Sequence, residues 1–270
     1  MAARRHLSMV GPQDGSGEPP ATAGANRLTL LAFAPISEES MSSFLKAFLR
    51  PAPGTVRAVL AGGLAALLLF SGAAKAGDGP LKLLAFGDSL IHGYGLPAGE
   101  TFPEQLQATL RDQGYDVEVI NAGNSGDTTA AGRARLDWAL ADDPDLVLVT
   151  LGGNDMLRGL EPAETERNLD AILQRLDREG LPVLLTGMLA PRNLGAEYAA
   201  EFDAVFPELA KRYGVAFYPF FLDGVAMQPQ LNQPDGLHPN GKGVAVIVEA
   251  LLPTLRPLLD AAAKRLAGDG

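Results

Sequence analysis

Short apolar runs alternate with longer amphipathic segments from residue 81 to residue 259. Five runs have the length and the Val and Leu content of strands, at 81–86, 117–120, 146–151, 183–188 and 215–218. The segments between them repeat their apolar positions with the period of a helix, at about 103–113, 128–140, 163–178 and 196–213, and another follows at 241–259. This order predicts strands and helices in alternation.

Most of the strand-like runs are nearly continuous in Val and Leu rather than regularly alternating with polar residues. Such runs are typical of strands that are buried on both faces, and those strands form parallel sheets with helices on each side. The pattern therefore predicts an α/β fold of three α/β/α layers, with a flavodoxin-like doubly wound sheet of five parallel strands. Ligands bind such sheets outside the carboxyl ends of the strands. Residues that directly follow a strand are thus the first candidates for function.

The first 76 residues depart from this pattern. Residues 1–40 are rich in Gly, Pro, Ser and Ala, which predicts a disordered segment or a gene start assigned too far upstream. Residues 41–76 combine basic residues, an apolar run at 58–70 and the ending Ala74-Lys75-Ala76. This is the pattern of a secretory signal peptide that is cleaved after Ala76. The alternative is an uncleaved membrane anchor, for which the apolar run is short.

Export predicts a periplasmic or secreted protein in which residues 77–270 form one domain without a stable membrane anchor after cleavage. This domain holds 15 Lys and Arg against 28 Asp and Glu, a formal net charge of −13. Such a charge disfavours nucleic acid as a partner, because phosphate binding is driven by basic residues. The chain has no cysteine and only three histidines, so thiolate chemistry is excluded and we expect neither a metal nor another cofactor. We expect a monomer or a weak dimer.

Polar residues with catalytic chemistry stand at the ends of the predicted strands. Ser89 follows the first strand, and a serine hydroxyl is a nucleophile only when a base takes its proton and donors await the oxyanion. His238 is the candidate base, with Asp235 three residues away on one tight turn to orient its ring. Asn154 offers a side-chain amide, and Gly126 lies in a glycine-rich loop that can bring a backbone N–H close to a ligand.

Four segments carry a resemblance to a known family. They read Gly87-Asp-Ser-Leu90, Asn124-Ser-Gly-Asp127, Gly152-Gly-Asn-Asp155 and Asp235-Gly-Leu-His238. In this order they resemble the four blocks of the SGNH (GDSL) hydrolase superfamily, and residues 81–260 are similar to its bacterial thioesterase I, lysophospholipase and arylesterase group. The resemblance implies that Ser89 is the nucleophile, His238 the general base and Asp235 its partner. It also implies an oxyanion hole of the Ser89 N–H, the Gly126 N–H and the Asn154 amide. The choice of Gly126 over Gly123 rests mainly on the family.

Further residues are expected at the substrate. His92 stands where relatives commonly have a small residue, and it is close enough to Ser89 in sequence to line a pocket. The segment after the fourth strand resembles a flexible loop over the acyl chain. The expected substrate-binding set is His92, Asp88, Met188, Leu189, Leu194 and Tyr198.

Each of these residues has a structural alternative. Ser89 could instead cap the helix that follows it, and the role of Asp88 could be limited to stabilising the turn. His92 is a second possible base. Asp127 and Asp155 could together suggest a divalent cation, but isolated carboxylates are more often turn and cap residues.

These residues predict a serine esterase that hydrolyses small-molecule carboxylic esters and thioesters through an acyl-enzyme. One alternative is a carbohydrate acetylesterase of the same superfamily. The other is a binding protein on the same fold that has lost catalysis.

Overall fold

The computed structural model describes residues 79–268. The predicted disordered start at 1–40 and the predicted signal peptide at 41–76 lie outside the described residues. Within 79–268, no helix has both the length and the apolar composition needed to cross a membrane.

The centre of the fold is a single sheet of five parallel strands, β1 (Leu81–Gly87), β2 (Val117–Gly123), β3 (Leu146–Thr150), β4 (Val183–Thr186) and β5 (Ala216–Tyr218). Their order in the sheet is β2-β1-β3-β4-β5. This arrangement confirms the predicted doubly wound α/β fold. Nearly every side chain of β1 and β3 is buried, as their apolar runs predict.

The described helices are α1 (Ser89–His92), α2 (Phe102–Asp112), α3 (Thr129–Leu140), α4 (Gly153–Leu157), α5 (Pro162–Arg178), α6 (Ala196–Tyr213) and α7 (Gly241–Gly268). Two groups of these helices flank the sheet: α3, α5 and α6 pack side by side, and α2 packs against α7.

The helices differ from the predicted ones in two ways. The short helices α1 and α4 were not predicted, because four or five residues carry no helical period. The last helix continues nine residues beyond the predicted end at 259. Ala262 is buried in this extension, and the Arg265 guanidinium donates to the carbonyls of Gly180 and Asp145. Tertiary contacts therefore stabilise a helical segment that the periodicity did not predict.

The connections place a switch point beside β1. The chain passes from β1 to β2 on one side and then to β3 on the other side of β1, which opens a crevice between the loops that follow β1 and β3. The backbones of β1 and β3 approach closely there. If Gly87 carried a Cβ atom, this atom would lie 2.5 Å from the Thr150 carbonyl oxygen. Glycine at this position lets β1 end against β3, and Ser89 follows two residues later.

Candidate active site

A chain of hydrogen bonds joins three of the predicted residues. The Ser89 Oγ lies 2.9 Å from the His238 Nε2, and the His238 Nδ1 lies 2.7 Å from the Asp235 Oδ2. Ser89 begins α1 at the carboxyl end of β1, whereas His238 and Asp235 lie on the loop before α7. The structure thus brings together side chains that are 149 residues apart in sequence.

The Asp235 carboxylate is held by its own turn. Its Oδ1 accepts from the N–H groups of Leu237 (2.9 Å) and His238 (3.0 Å). The His238 N–H, followed by the His238 ring, lowers the pKa of Asp235 to about 2. An ionised carboxylate can only accept, so the proton of the ring lies on Nδ1. Nε2 is therefore free to accept from the Ser89 hydroxyl.

The loop that carries His238 is tightly closed. Asn232 and Pro239 form an antiparallel bridge, and the Gln233 N–H donates to the His238 carbonyl at 2.8 Å. On the other side, the ring of Tyr94 packs on the His238 ring with 4.7 Å between centroids. These contacts restrict the imidazole to an orientation that faces Ser89.

The backbone N–H groups of Ser89 and Gly126 have no hydrogen-bond acceptor among residues 79–268. Gly126 has a φ of +87°, a conformation that side chains rarely tolerate, and its carbonyl accepts from the Arg158 guanidinium at 2.7 Å. The third predicted donor is the Asn154 amide, and unlike these two N–H groups it already has acceptors. Its Nδ2 donates to the Asp88 Oδ2 (3.2 Å) and to the Asp127 carbonyl (3.0 Å). Asn154 would have to share one of these hydrogens with an oxyanion.

Arg135 on α3 anchors the loop that contains Gly126. Its guanidinium donates to the Asp127 Oδ2 at 2.6 Å and to the Gly87 carbonyl at 2.8 Å, and it stacks over the Phe86 ring. The other Asp127 oxygen accepts from Asn124 at 2.6 Å. The ends of β1 and β2 are thereby tied together through one cation.

Asp127 and Asp155 are both engaged with protein donors. The Asp155 side chain is fully buried and accepts from the N–H (2.8 Å) and the hydroxyl (2.5 Å) of Thr129. Among the described residues, no group of three or more His, Asp or Glu side chains is arranged to hold a metal ion. In this structure, both carboxylates anchor loops and helix starts.

Asp88 is a buried carboxyl at the base of the site, with 2% of its surface exposed. Burial raises its pKa to about 6, against the lowering effects of hydrogen bonds from the Leu90 N–H and the Asn154 amide. A raised pKa means that the folded protein binds this proton more tightly than the unfolded chain does. Asp88 therefore makes the stability of the fold depend on pH.

We expect Asp88→Asn to remove this dependence. The Asp88 carboxyl contributes stability that is complete below its ordinary pKa of 3.8 and is lost as the pH rises through about 6. The free energy of unfolding of the original protein should therefore fall relative to that of the variant as the pH rises. Between about pH 4 and about pH 8, the difference should shift by about 3 kcal/mol in favour of the variant. Urea unfolding followed by circular dichroism across this range measures the difference.

Asp112→Asn is the matched control, since this carboxyl is exposed at the end of α2. The control makes the same change from Asp to Asn at a carboxyl that is not buried. An Asp88→Asn curve that runs parallel to that of the original protein would contradict the expected role of burial.

A cavity of about 380 Å³ opens beside the Ser89 hydroxyl. Its walls are mostly apolar, and they come from the loops after β1, β3, β4 and β5. Of the expected substrate-binding residues, Asp88, Met188 and Leu189 line it. The other apolar lining residues are Leu90, Met156, Leu157, Ala190, Pro191, Phe220, Leu222, Ala226, Met227 and Leu237.

Three of the expected pocket residues do not line the cavity. The His92 side chain is exposed, with its Nδ1 3.4 Å from the Gly123 carbonyl oxygen. The Tyr198 hydroxyl donates to the Leu160 carbonyl at 2.9 Å, and its ring stacks on Phe202. Leu194 is 43% exposed in a 3₁₀ turn. Leu194 and Tyr198 therefore lie outside the cavity lining.

Sequence reasoning missed Tyr94, Arg135 and Gln233. Tyr94 lies five residues after Ser89, where closeness to the proposed nucleophile was the only available signal. Arg135 has the spacing of an ordinary helix residue, and Gln233 lies in a loop without periodicity. Each of them also contacts a residue that is remote in sequence: Tyr94 packs on His238, Arg135 donates to the Gly87 carbonyl, and Gln233 donates to the Tyr94 carbonyl. No local pattern identifies such contacts.

Comparisons with known proteins identify the family of this chain. Residues 85–246 match the GDSL-like Lipase/Acylhydrolase family. The chain is 42% identical to Esterase TesA of Pseudomonas aeruginosa over 205 residues, which cover 76% of this chain and all of the relative. It is 39% identical to the Escherichia coli K12 protein named thioesterase 1/protease 1/lysophospholipase L1 over 195 residues, 72% of this chain and 91% of the relative.

Solved structures lead to the same family. A crystal structure of TesA has a TM-score of 0.63 and 42% identity, covering 66% of this chain and 99% of that one. The SGNH-hydrolase family esterase AlinE4 has a TM-score of 0.57 and 49% identity, covering 66% and 96%. The family match over residues 85–246, the sequence identity to these relatives and the shared fold lead to one conclusion: the chain belongs to the GDSL-like lipase/acylhydrolase family.

Proposed function

We propose that this protein is a serine hydrolase that cleaves carboxylic esters and thioesters of small molecules through an acyl-enzyme. The observation that carries the proposal is the hydrogen-bonded chain from Ser89 through His238 to Asp235 at the wall of an apolar cavity. The names of the relatives, which include an esterase, an arylesterase and a thioesterase, support the same reaction class.

In the proposed first step, the Ser89 Oγ attacks the carbonyl carbon of the ester. The His238 Nε2 accepts the hydroxyl proton, and the Asp235 carboxylate stabilises the imidazolium that results. A 2.9 Å separation between Oγ and Nε2 allows this transfer without movement of the backbone. The π electron pair of the carbonyl moves to its oxygen, which becomes the oxyanion of a tetrahedral intermediate.

Three donors are proposed to hold this oxyanion. The N–H groups of Ser89 and Gly126 have no other acceptor among residues 79–268, and the Asn154 amide is the proposed third donor. Collapse of the intermediate breaks the bond to the leaving alcohol or thiol, which takes the proton from His238. Water, activated by His238 in the same way, hydrolyses the acyl-enzyme and frees Ser89.

The cavity is evidence that the enzyme binds its substrate by an acyl or aryl group. Its apolar walls favour burial of hydrocarbon, at about 25 cal/mol for each Å² removed from water. A volume of about 380 Å³ exceeds the need of an acetyl group. This favours longer acyl or aryl esters over the alternative of carbohydrate acetyl esters.

We expect Ala226→Phe to shift the preference of the enzyme toward short esters. Ala226 lines the cavity, so a phenyl ring at this position would occupy space that a long acyl chain needs. The ratio of kcat/KM for p-nitrophenyl octanoate to that for p-nitrophenyl acetate should fall by about tenfold or more. Kinetics on esters of increasing chain length, together with matched thioesters, measure this ratio.

Ala261→Phe is the control, because Ala261 is exposed on the last part of α7, away from the cavity lining. It should leave the ratio unchanged. An original enzyme that accepts acetate alone, with strong activity on acetylated sugars, would instead support the acetylesterase.

We also propose that the chain is exported, with cleavage after Ala76, and acts in the periplasm or outside the cell as a monomer or weak dimer. The basic and apolar order of residues 41–76 supports export. The N-terminal mass of the mature protein tests the cleavage, and a chain that retains residues 64–70 would contradict it.

A further inference from the structure

Asp88 joins the two segments that carry the proposed nucleophile and the proposed amide donor. Its Oδ1 accepts from the Leu90 N–H in α1 at 3.0 Å, and its Oδ2 accepts from the Asn154 Nδ2 in α4 at 3.2 Å. The carboxyl is almost completely buried, and no Lys, Arg or His within residues 79–268 forms a salt bridge with it. Asp88 is thus an unpaired carboxyl between two elements of the site.

Capping of α1 does not require a carboxylate at this position. A Ser or Thr oxygen also caps a helix N-terminus, and it avoids the cost of burying an ionisable group. The second carboxylate oxygen is what a hydroxyl lacks, and this oxygen is the one that contacts Asn154. The contact that distinguishes Asp88 from an ordinary cap is therefore the one with the amide.

The amide of Asn154 is held from two sides. Its two hydrogens go to the Asp88 Oδ2 and the Asp127 carbonyl, which together fix the plane of the amide. A donor stabilises an oxyanion most when it is already oriented before the charge develops. The bond to Asp88 is the longer of the two, so its hydrogen is the one more easily shared with an oxyanion.

We propose that Asp88 is a positioning residue that acts through Asn154. Its carboxyl group holds the amide beside the Ser89 turn, so the amide meets the oxyanion without first rotating. This inference rests on the proposed function, in particular on the roles of Ser89 and Asn154. It gives Asp88 a role in stabilising the transition state, whereas the sequence suggested that Asp88 contacts the substrate.

A double-mutant cycle tests the inference. Asp88→Ser keeps an oxygen for the Leu90 N–H but is too short to reach Asn154. It should lower kcat by about tenfold to a hundredfold and change KM by less than about twofold. Asn154→Ala should lower kcat by about a hundredfold to a thousandfold. The double variant should be no more than about threefold slower than Asn154→Ala, because Asp88 then has no amide to hold.

Two results would overturn the inference while leaving the proposed function intact. If the losses multiply in the double variant, Asp88 acts independently of Asn154. If Asp88→Ser is faster than the original enzyme, the carboxyl competes with the oxyanion for the amide. By contrast, an Asn154→Ala variant with unchanged kcat would refute the proposed role of Asn154, and the inference would fail with it.

Asp88→Asn gives a second cycle should Asp88→Ser fail to fold. The asparagine has nearly the same shape, but it has an oxygen at only one of the two positions that contact the Leu90 N–H and the Asn154 amide. The same non-multiplicative pattern is expected, with thermal unfolding as the check that both variants are folded. Losses that multiply here would overturn the inference as well.

Discussion

Replacing Ser89 with alanine is expected to lower kcat for a p-nitrophenyl ester by about a millionfold. The alanine has no oxygen to attack the carbonyl, so the acyl-enzyme cannot form and only residual catalysis by the oxyanion donors and substrate binding is left. Steady-state kinetics measure the loss of kcat. A fluorophosphonate probe adds a direct readout, because it should label the peptide that contains Ser89 and leave the Ser89→Ala variant unlabelled.

Ser125 provides the matched control, since it is the other serine within residues 79–268 and lies exposed in the loop after β2. Ser125→Ala should retain most of the activity and should still be labelled at Ser89. A Ser89→Ala variant with substantial turnover, or a label found on another residue, would refute the proposed nucleophile. A folded protein that neither reacts with the probe nor hydrolyses any ester would support the non-catalytic alternative.

Replacing His238 with alanine should cost about as much as removing the nucleophile, again about a millionfold in kcat. The Ser89 hydroxyl then has no base within hydrogen-bond distance, and the leaving group has no proton donor. Because Ser89 and His238 act as one unit, the double variant Ser89→Ala/His238→Ala should be hardly slower than either single variant. Kinetics of the three variants on one activated ester measure this non-additivity.

His92 is the matched control for the base, because it is the other histidine within residues 79–268. Its exposed ring contacts the Gly123 carbonyl and lies outside the cavity lining. His92→Ala should therefore keep a kcat close to that of the original enzyme. A large rise in KM in this variant would support the sequence-based expectation that His92 contacts the substrate, and wild-type activity in His238→Ala would remove the proposed base.

The sheet could be predicted because its evidence is local. Leu83, Leu84 and Phe86 are fully buried, and a strand that is buried on both faces has a nearly continuous apolar sequence. The run itself therefore reports the environment of β1. The same reasoning missed α1 and α4, since a helix of four or five residues is too short to display a period.

The substrate-binding residues were predicted only in part, since their positions depend on distant packing. Met188 lines the cavity, whereas Tyr198, ten residues later, donates its hydroxyl to the Leu160 carbonyl. The difference is set by how α6 packs against α5, which involves residues far apart in the chain. A position after a strand predicts that a side chain is near the site, but it does not predict which way the side chain points.

Sequence alone determined which chemical groups stand at the strand ends and in what order, from Ser89 after the first strand to His238 before the last helix. Parallel strands bring such ends to one edge of a sheet, so a common site followed from topology. Only the tertiary structure decided the distances, such as the 2.9 Å between groups 149 residues apart, and the burial that raises the pKa of Asp88 to about 6. Both depend on contacts between elements that are remote in sequence, and these contacts leave no periodic signal in the chain.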